Sequence, residues 1–258
     1  MPHSLPRCSG CAGEPVPDPP ISCPAVPPPD FDLVARPYRW LEYLSFGPYL
    51  ARCRFAQLPH LMSARRALVF GDGDGRFLAR LLRLNPQLHA DAVDASPRML
   101  ALLRRRIARA GAAARVRTHG LDALEFNPRA AAVHDGAAYD LVVTHFFLDC
   151  FTPPQIERLA AVVVPACAPD ACWLISEFQI PAHRSRLAVL ASRLVVAALY
   201  RAFALLTGLR VRHLPDYAPI LRRHGFELES HPEFLGGLLR SQLWRRGGSC
   251  NAASSPRF

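Results

Sequence analysis

The 258-residue chain contains no lysine. All 31 of its basic side chains are arginines, set against 21 carboxylates, for a formal net charge of +10. With abundant alanine and 25 prolines, this is the mark of a composition bias, not of a nucleic-acid binder. The arginines are scattered through predicted helices instead of gathered in one block, so they read as solvated helix faces and no nucleic-acid partner is expected. Also missing is any long uncharged apolar run, about 18 residues or more, so no membrane span is expected. The start, "MPHSLPRCSGCAGEPVPDPP", lacks the basic and apolar regions of a secretory signal. A cytoplasmic location is the expectation. The eight cysteines are irregularly spaced and several lie in apolar runs, so buried free thiols are expected instead of a disulfide framework. Cys8 and Cys11 form a C-x-x-C, but only Cys23 and His3 lie near, and the Pro-rich surroundings do not suit a redox helix. No metal is expected.

What is present divides into three parts. Residues 1–30 are dense in proline and poor in large apolar residues, and read as a disordered tail. Residues 31–246 carry the periodic pattern, and the tail from residue 247 reads as disordered. One or two helices precede an alternation of elements. "RALVFG" is a strand and "RFLARLLRL" a helix; "LHADAVDA" is a strand and "SPRMLALLRRRIARAG" a helix, with Ser96 as N-cap and Pro97 at the first helical position. "ARVRTHG" and "YDLVVTHFFL" are further strands, "TPPQIERLAAVVVPAC" a helix and "ACWLISEFQI" a fifth strand. A long apolar helix over 185–207 follows, then a short helix and a closing pair of strands.

The stretch "ALVFGDGDGRFLARLL", residues 67–82, is a strand, a glycine turn and a helix. The dinucleotide pattern G-x-G-x-x-G fails, because Arg76 stands at its third glycine. The phosphate-binding loop fails for want of Gly-Lys-Ser/Thr. Two aspartates, Asp72 and Asp74, would oppose a pyrophosphate on the helix N-terminus. A nucleoside ligand bearing positive charge and no phosphate removes the conflict, and S-adenosylmethionine is one. Asp94 ends the second strand 23 residues after Gly71, where a carboxylate can accept from ribose hydroxyls. "THGLDALEF" brings Asp122 and Ala123 after the third strand, and "YDLVVTHFFLDCF" closes the fourth.

With Gly71, Gly73, Gly75, Asp94 and Asp122 in this order, residues 31–246 resemble the class I S-adenosylmethionine-dependent methyltransferases. The resemblance implies an α/β, Rossmann-like fold. Its sheet is seven-stranded and mostly parallel, with the last strand antiparallel and helices on both faces. It also implies N-terminal lid helices, and the long helix is inserted after the fifth strand. It implies S-adenosylmethionine as cofactor, held by Tyr38, Gly71, Asp72, Gly73, Asp74, Gly75, Asp94, Ala95, Met99, Asp122, Ala123 and Thr144. In one respect the sequence departs: Val69 stands where the family usually has an acid that helps hold the ligand's amino group. The lid segment is similar to that of quinone-biosynthesis-type methyltransferases.

Methyl transfer asks mainly for alignment, with a base only where the acceptor loses a proton. His145 and Asp149, flanking the loop after the fourth strand, are the catalytic candidates; capping roles are the bland alternative. Glu177 is a further candidate, against an ion pair with an arginine. Phe146, Phe147, Phe151 and Phe178 are either an acceptor wall or core. The expected acceptor is a small, partly apolar molecule. Peripheral membrane contact through the helix over 185–207 is weighed against a plain capping role. The rivals are an RNA or protein methyltransferase, disfavoured because no Asn-Pro-Pro-Tyr-type motif follows the fourth strand, and a non-catalytic S-adenosylmethionine-binding module, suggested by Val69.

Overall fold

In the computed structural model the described residues are 46–132, 137–181, 185–207, 211 and 213–247. The proline-rich tail, Cys8, Cys11 and Tyr38 lie outside them, as does most of the expected lid. Helix α1 (Tyr49–Phe55) stops short of Pro59 and gives way to a 3-10 turn, Leu58–Leu61. The alternation then runs β1 (Arg66–Phe70), α2 (Arg76–Leu84), β2 (His89–Val93), α3 (Pro97–Arg109), β3 (Val116–His119), α4 (Pro128–Ala132), β4 (Tyr139–His145), α5 (Pro153–Val163) and β5 (Cys167–Phe178). Helix α6 (Arg186–Thr207), helix α7 (Ala218–Arg223) and strands β6 (Phe226–Ser230), β7 (Glu233–Phe234) and β8 (Leu239–Arg246) complete the described chain.

The strand order is β3-β2-β1-β4-β5-β8-β6, with β7 beside β8. Strands β1 to β5 are parallel, and β8 enters antiparallel between β5 and β6. The sheet thus has eight strands where seven are expected. "FELESHPEF" reads as one strand in the sequence, but Pro232 has no N–H for the ladder, and the run splits into β6 and β7. Strand β4 also ends early. The sequence continues apolar to Leu148, but Phe146 adopts φ +52° and turns the chain off the sheet.

Alternation along the strands divides the core. Leu68, Phe70 and Val142 face α5 and α7, with Ile156, Leu159, Ile220 and Trp244. Ala67, Val69, Leu141 and Val143 face α2 and α3, with Phe77, Leu81, Leu103 and Ile107. Helices therefore cover both faces, as a parallel sheet requires. A third apolar group joins Leu50 and Cys53 of α1, Phe178 of β5, Val196 and Tyr200 of α6 and Leu239 of β8 above the sheet's carboxyl end. Caps behave as expected: Ser96 Oγ accepts from Met99 N at 3.1 Å, and Thr152 and Gln155 form a reciprocal capping box. The described cysteines Cys53, Cys150, Cys167 and Cys172 are free thiols. Among the described residues no helix is long and apolar enough to cross a membrane, and no group of three metal-ligating side chains occurs.

Gly75 shows what sets the spacing of α2 and α3. It begins α2 at φ +77°, and a Cβ there would stand 2.9 Å from the Leu103 Cα. Gly75→Ala combines a left-handed alanine with a backbone collision. It is expected to destabilise the fold by about 2–4 kcal/mol. Denaturant melts check this, and a loss below about 0.5 kcal/mol would contradict the packing argument.

Candidate active site

In β1, Phe70 stands in register with Val93 of β2 and with Thr144 of β4. The strand order reverses between β1 and β4, and a crevice opens at the carboxyl ends of the strands at such a point. Gly71 continues from β1, its N–H donating to the Val93 carbonyl at 3.0 Å. Asp94 follows β2, its N–H donating to the His119 carbonyl at 3.1 Å. One edge of the sheet therefore gathers the glycine turn, Asp94 and Ala95, the segment after β3 with Asp122 and Ala123, and the loop after β4.

The two aspartates of the glycine turn have partners within the protein. Asp74 is buried, its carboxylate bridged by Arg76 Nε at 2.8 Å and a terminal guanidinium nitrogen of Arg106 at 2.7 Å. Asp72 Oδ2 accepts from Leu78 N at 3.0 Å, which occupies an amide of the first turn of α2. Burial pushes the Asp72 carboxyl up to about 7, against the Leu78 hydrogen bond and nearby Arg54. Both groups hold the turn through these partners, which meet much of the charge expected to serve the ligand. The glycines divide in role as well. Gly75 admits Leu103, while a Cβ on Gly71 would meet the Phe147 ring at 2.4 Å. Gly73, at φ +59°, holds the left-handed conformation between them.

Asp94 Oδ1 accepts from Ser96 N at 2.8 Å and Asp122 Oδ1 from Leu124 N at 2.8 Å, so both carboxylates are oriented by the turns that follow their strands. Met99 and Ala123 are buried near them, and Ala95 is exposed. Thr144 is withdrawn. Its Oγ1 accepts from Trp173 Nε1 at 3.1 Å inside the core, so its side chain is committed away from the crevice. Val69 is buried on the α2 side, within the apolar cluster that includes Phe77 and Val143.

His145 departs from the sequence expectation. Its ring lies edge-on against Phe77 of α2, centroids 4.4 Å apart, and is 3% exposed. Neither ring nitrogen has a partner. Burial, and then the adjacent Arg54 cation, hold its pKa well below 6.5, so the imidazole is neutral. As the last residue of β4 it alternates with Thr144, and the same pleat that sends one side chain into each face keeps both out of the loop above.

The loop itself is built on Glu177. Its Oε1 accepts from Phe147 N at 3.0 Å and Leu148 N at 2.8 Å, and the Asp149 amide also donates to this carboxylate. Among the described residues the alternative, an ion pair of Glu177 with an arginine, does not occur: Arg240, opposite Glu177 in the β5–β8 register, pairs with Glu233 at 3.0 Å. Glu177 Oε2 is buried without a partner. Burial, together with the charge of Asp149, drives the Glu177 carboxyl well above the carboxylate range despite the three amides. Asp149 is raised to about 6 by burial, against a hydrogen bond from the Cys150 thiol at 3.6 Å. Tyr200 of α6 donates to the Asp149 carbonyl at 3.3 Å and closes this acid pair from above. Phe146 and Phe178 (5.1 Å) and Phe46 and Phe178 (5.2 Å) form an aromatic wall beside it, while Phe147 and Phe151 pack toward the core under the glycine turn.

Arg54 enters this region from α1, 7% exposed, its guanidinium 5.1 Å from the Phe146 centroid and close enough to act on Asp72 and His145. Sequence reasoning passed over it. The signal was its position in "YLARCRF", on the buried stripe with Leu50 and Cys53.

Residues 68–173 match a family model described as a methyltransferase domain. These residues are thus similar to a methyltransferase domain, and the fold is the Rossmann-like methyltransferase fold. No curated protein sequence matches the chain. An O-methyltransferase family protein from Burkholderia thailandensis is 18% identical with a TM-score of 0.58, covering 86% of this chain and 65% of its own. The apo form of an S-adenosylmethionine-dependent methyltransferase, SibL, is 22% identical, TM-score 0.59, covering 86% and 63%. An O-methyltransferase family 2 protein from Planctomyces limnophilus, in complex with apigenin, is 15% identical, TM-score 0.59, covering 83% and 62%. The chain thus spans less than two thirds of these structures' length. The methyl donor of this fold is S-adenosylmethionine. The methyltransferase domain fits that cofactor: positive-φ glycines line its turn, oriented carboxylates end β2 and β3, and an orphaned buried Glu177 oxygen lies beyond.

The buried neutral imidazole has a measurable consequence. An unfolded histidine binds a proton below pH about 6.5, and His145 in the fold does not. Its contribution to stability is complete above that pH and falls as pH drops, by about 1.4 kcal/mol per unit. Asp72, Asp149 and Glu177, raised in the fold, act in the opposite sense in wild type and variant alike. Denaturation of His145→Leu and wild type at pH 7.5 and 5.5 should therefore show the variant gaining on wild type at the lower pH. An equal difference at both pH values would contradict a neutral, buried His145.

Proposed function

We propose that the chain transfers a methyl group from S-adenosylmethionine to a hydroxyl of a small, partly apolar acceptor. The observation that carries this reading is the acid pair of half-buried Asp149 and buried Glu177 beside the Phe46, Phe146 and Phe178 rings. The neighbouring structures named as O-methyltransferases support it, and one of them was crystallised with apigenin. The donor supplies an electrophilic methyl on a sulfonium. Gly71 and Gly73 let the backbone approach the donor, and Asp94 accepts from its ribose hydroxyls. Asp122 and the Ala123 amide meet the adenine edge, with Met99 alongside it.

Asp149, poised at about 6, is the base that takes the hydroxyl proton as the acceptor oxygen becomes nucleophilic. Glu177, its carboxyl driven well above the carboxylate range by burial and by Asp149, holds the loop that bears Asp149 through Oε1 and leaves Oε2 free for a polar contact with the acceptor. The aromatic wall and Tyr200 exclude water from the pair. His145, with no accessible nitrogen, is a packing residue of this arrangement.

Activity should rise with pH through about 6, as Asp149 loses its proton, and then level off. With a phenolic acceptor panel and labelled donor, Asp149→Asn is expected to abolish that limb and lower kcat roughly 100-fold or more, with donor affinity unchanged. Asp94→Ala is expected to weaken donor binding about 10- to 100-fold by calorimetry. An unchanged acid limb in Asp149→Asn would overturn the base assignment. Donor binding without turnover on any acceptor would favour the binding-module alternative.

We also propose that α6 rests on an anionic bilayer surface. Leu187, Leu190 and Leu194 are 79%, 54% and 63% exposed along one stripe, while Val196 and Tyr200 on the other side are buried. Arg186, Arg193 and Arg201 are exposed beside the leucines, and the helix holds no acid. The protein should co-sediment with phosphatidylcholine vesicles only when phosphatidylglycerol is added, and Leu187→Glu/Leu194→Glu should release it. Equal sedimentation of that variant, or concentration-dependent dimerisation that it abolishes, would overturn the assignment.

A further inference from the structure

On the outer side of α2 and α3, away from the acid pair at the ends of β4 and β5, lies a cleft of about 450 Å³. Arg76, Arg80 and Arg83 of α2 and Arg105, Arg106 and Arg109 of α3 line it, with Phe55 at one end. The arginines reach it by helical spacing: successive turns of α2 and of α3 aim them toward the seam that the close Gly75–Leu103 packing creates. Residues far apart in sequence thereby form one basic surface.

Neither α2 (RFLARLLRL) nor α3 (PRMLALLRRRIAR) contains an acid. Asp74, at the head of the cleft, is shared by Arg76 and Arg106. Arg80, Arg83, Arg105 and Arg109 are exposed, and among the described residues none of them has a carboxylate partner. Arg80 lies over the Phe55 ring at 5.4 Å, which orients it along the cleft. Elsewhere three arginines do pair with acids: Arg223 with Glu157, Arg240 with Glu233 at 3.0 Å, and Arg245 with Glu229 at 2.7 Å. What distinguishes this cleft is that six arginines line one concavity and the carboxylate at its head is already shared by two of them.

Four unneutralised guanidiniums around one concavity repel each other, and a polyanion between them relieves that repulsion. Guanidinium forks match phosphoryl oxygens bidentately, and several around one cleft suit a chain of phosphates better than a single anion. We propose that the α2–α3 cleft is a binding site for an oligophosphate anion, supplied by a free oligophosphate or nucleotide or by the phosphodiester chain of a single-stranded nucleic acid. The site is separate from the donor crevice and does not depend on the reaction proposed above. It touches that crevice at one point, because Arg76 and Arg106 also hold Asp74 of the glycine turn.

The test titrates the full chain with sodium tripolyphosphate, and separately with a single-stranded RNA oligomer, at low and moderate salt. Wild type should bind at least one of the two probes, more weakly as salt rises. Arg80→Ala/Arg83→Ala/Arg105→Ala/Arg109→Ala, with an unchanged melting temperature, should bind at least about tenfold more weakly. Arg223→Ala/Arg245→Ala, which removes two paired arginines elsewhere, should bind as wild type does. Tripolyphosphate bound as tightly as RNA assigns a free oligophosphate; RNA bound more tightly with increasing length assigns the nucleic-acid source. No binding of either probe at low salt overturns the proposal. So does full binding by the quadruple variant, or an equal loss in the control. Should the quadruple variant fold poorly, the Arg83→Glu and Arg109→Glu single variants replace it with the same criteria.

Discussion

The top of the sheet depends on the Glu177 carboxylate at the end of β5. The chain leaves β4 through Phe146 at φ +52°, and the next three amides would be buried donors without acceptors. Leaving such a donor unpaired costs about 1–3 kcal/mol. Glu177 takes all three, and three features follow from that grip. Phe147 is held against Gly71, Leu148 enters the core, and Asp149 is brought under Tyr200. The same carboxylate retains one buried oxygen with no partner in the protein. One side chain thus anchors the loop with one oxygen and keeps the other buried and unpaired.

The buried charges divide into those that are answered within the protein and those that are not. Asp91, under the β1–β2–β3 side, would be raised by burial, but His119 at 2.8 Å, Tyr139 at 2.9 Å and Arg117 at 3.1 Å hold it low. Asp74 is likewise met by two guanidiniums. In these networks the carboxylate is answered by donors and cations within the protein, and their role is structural. At the ends of β4 and β5 the pattern reverses: burial raises Asp149, burial and the charge of Asp149 raise Glu177, and among the described residues no arginine forms an ion pair with either. Groups whose pKa values are moved by burial and by like charge, without a compensating cation, are those able to exchange a proton near neutrality.

The periodic segments were legible in the sequence because their signals are local. "RALVFG", "LHADAVDA" and "SPRMLALLRRRIARAG" became β1, β2 and α3, with Ser96 capping as its residue type implies. The order Gly71, Asp94, Asp122 pointed to the right fold, because in a parallel sheet the strand ends converge wherever the alternation is regular. The argument from Asp72 and Asp74 was weaker than it looked. Their charges are met by Leu78 N, Arg76 and Arg106, partners that no local pattern reveals. His145 was misread for a related reason. A histidine next to a loop looks available, and only the pleat of β4 shows that its ring points into the α2 face.

The sequence by itself determined the alternation of strands and helices, the glycine turn and the carboxylates that end β2 and β3, because each rests on residues within a few positions of one another. Tertiary structure alone decided which polar side chains meet. Glu177 finds the amides of the β4 loop across a parallel pair, Arg54 reaches the region of Asp72 and His145 from another helix, and arginines scattered along two helices become one cleft. Periodicity specifies the face on which a residue lies. What stands opposite that face is set by strand order and helix packing, and these depend on contacts between segments remote in the chain.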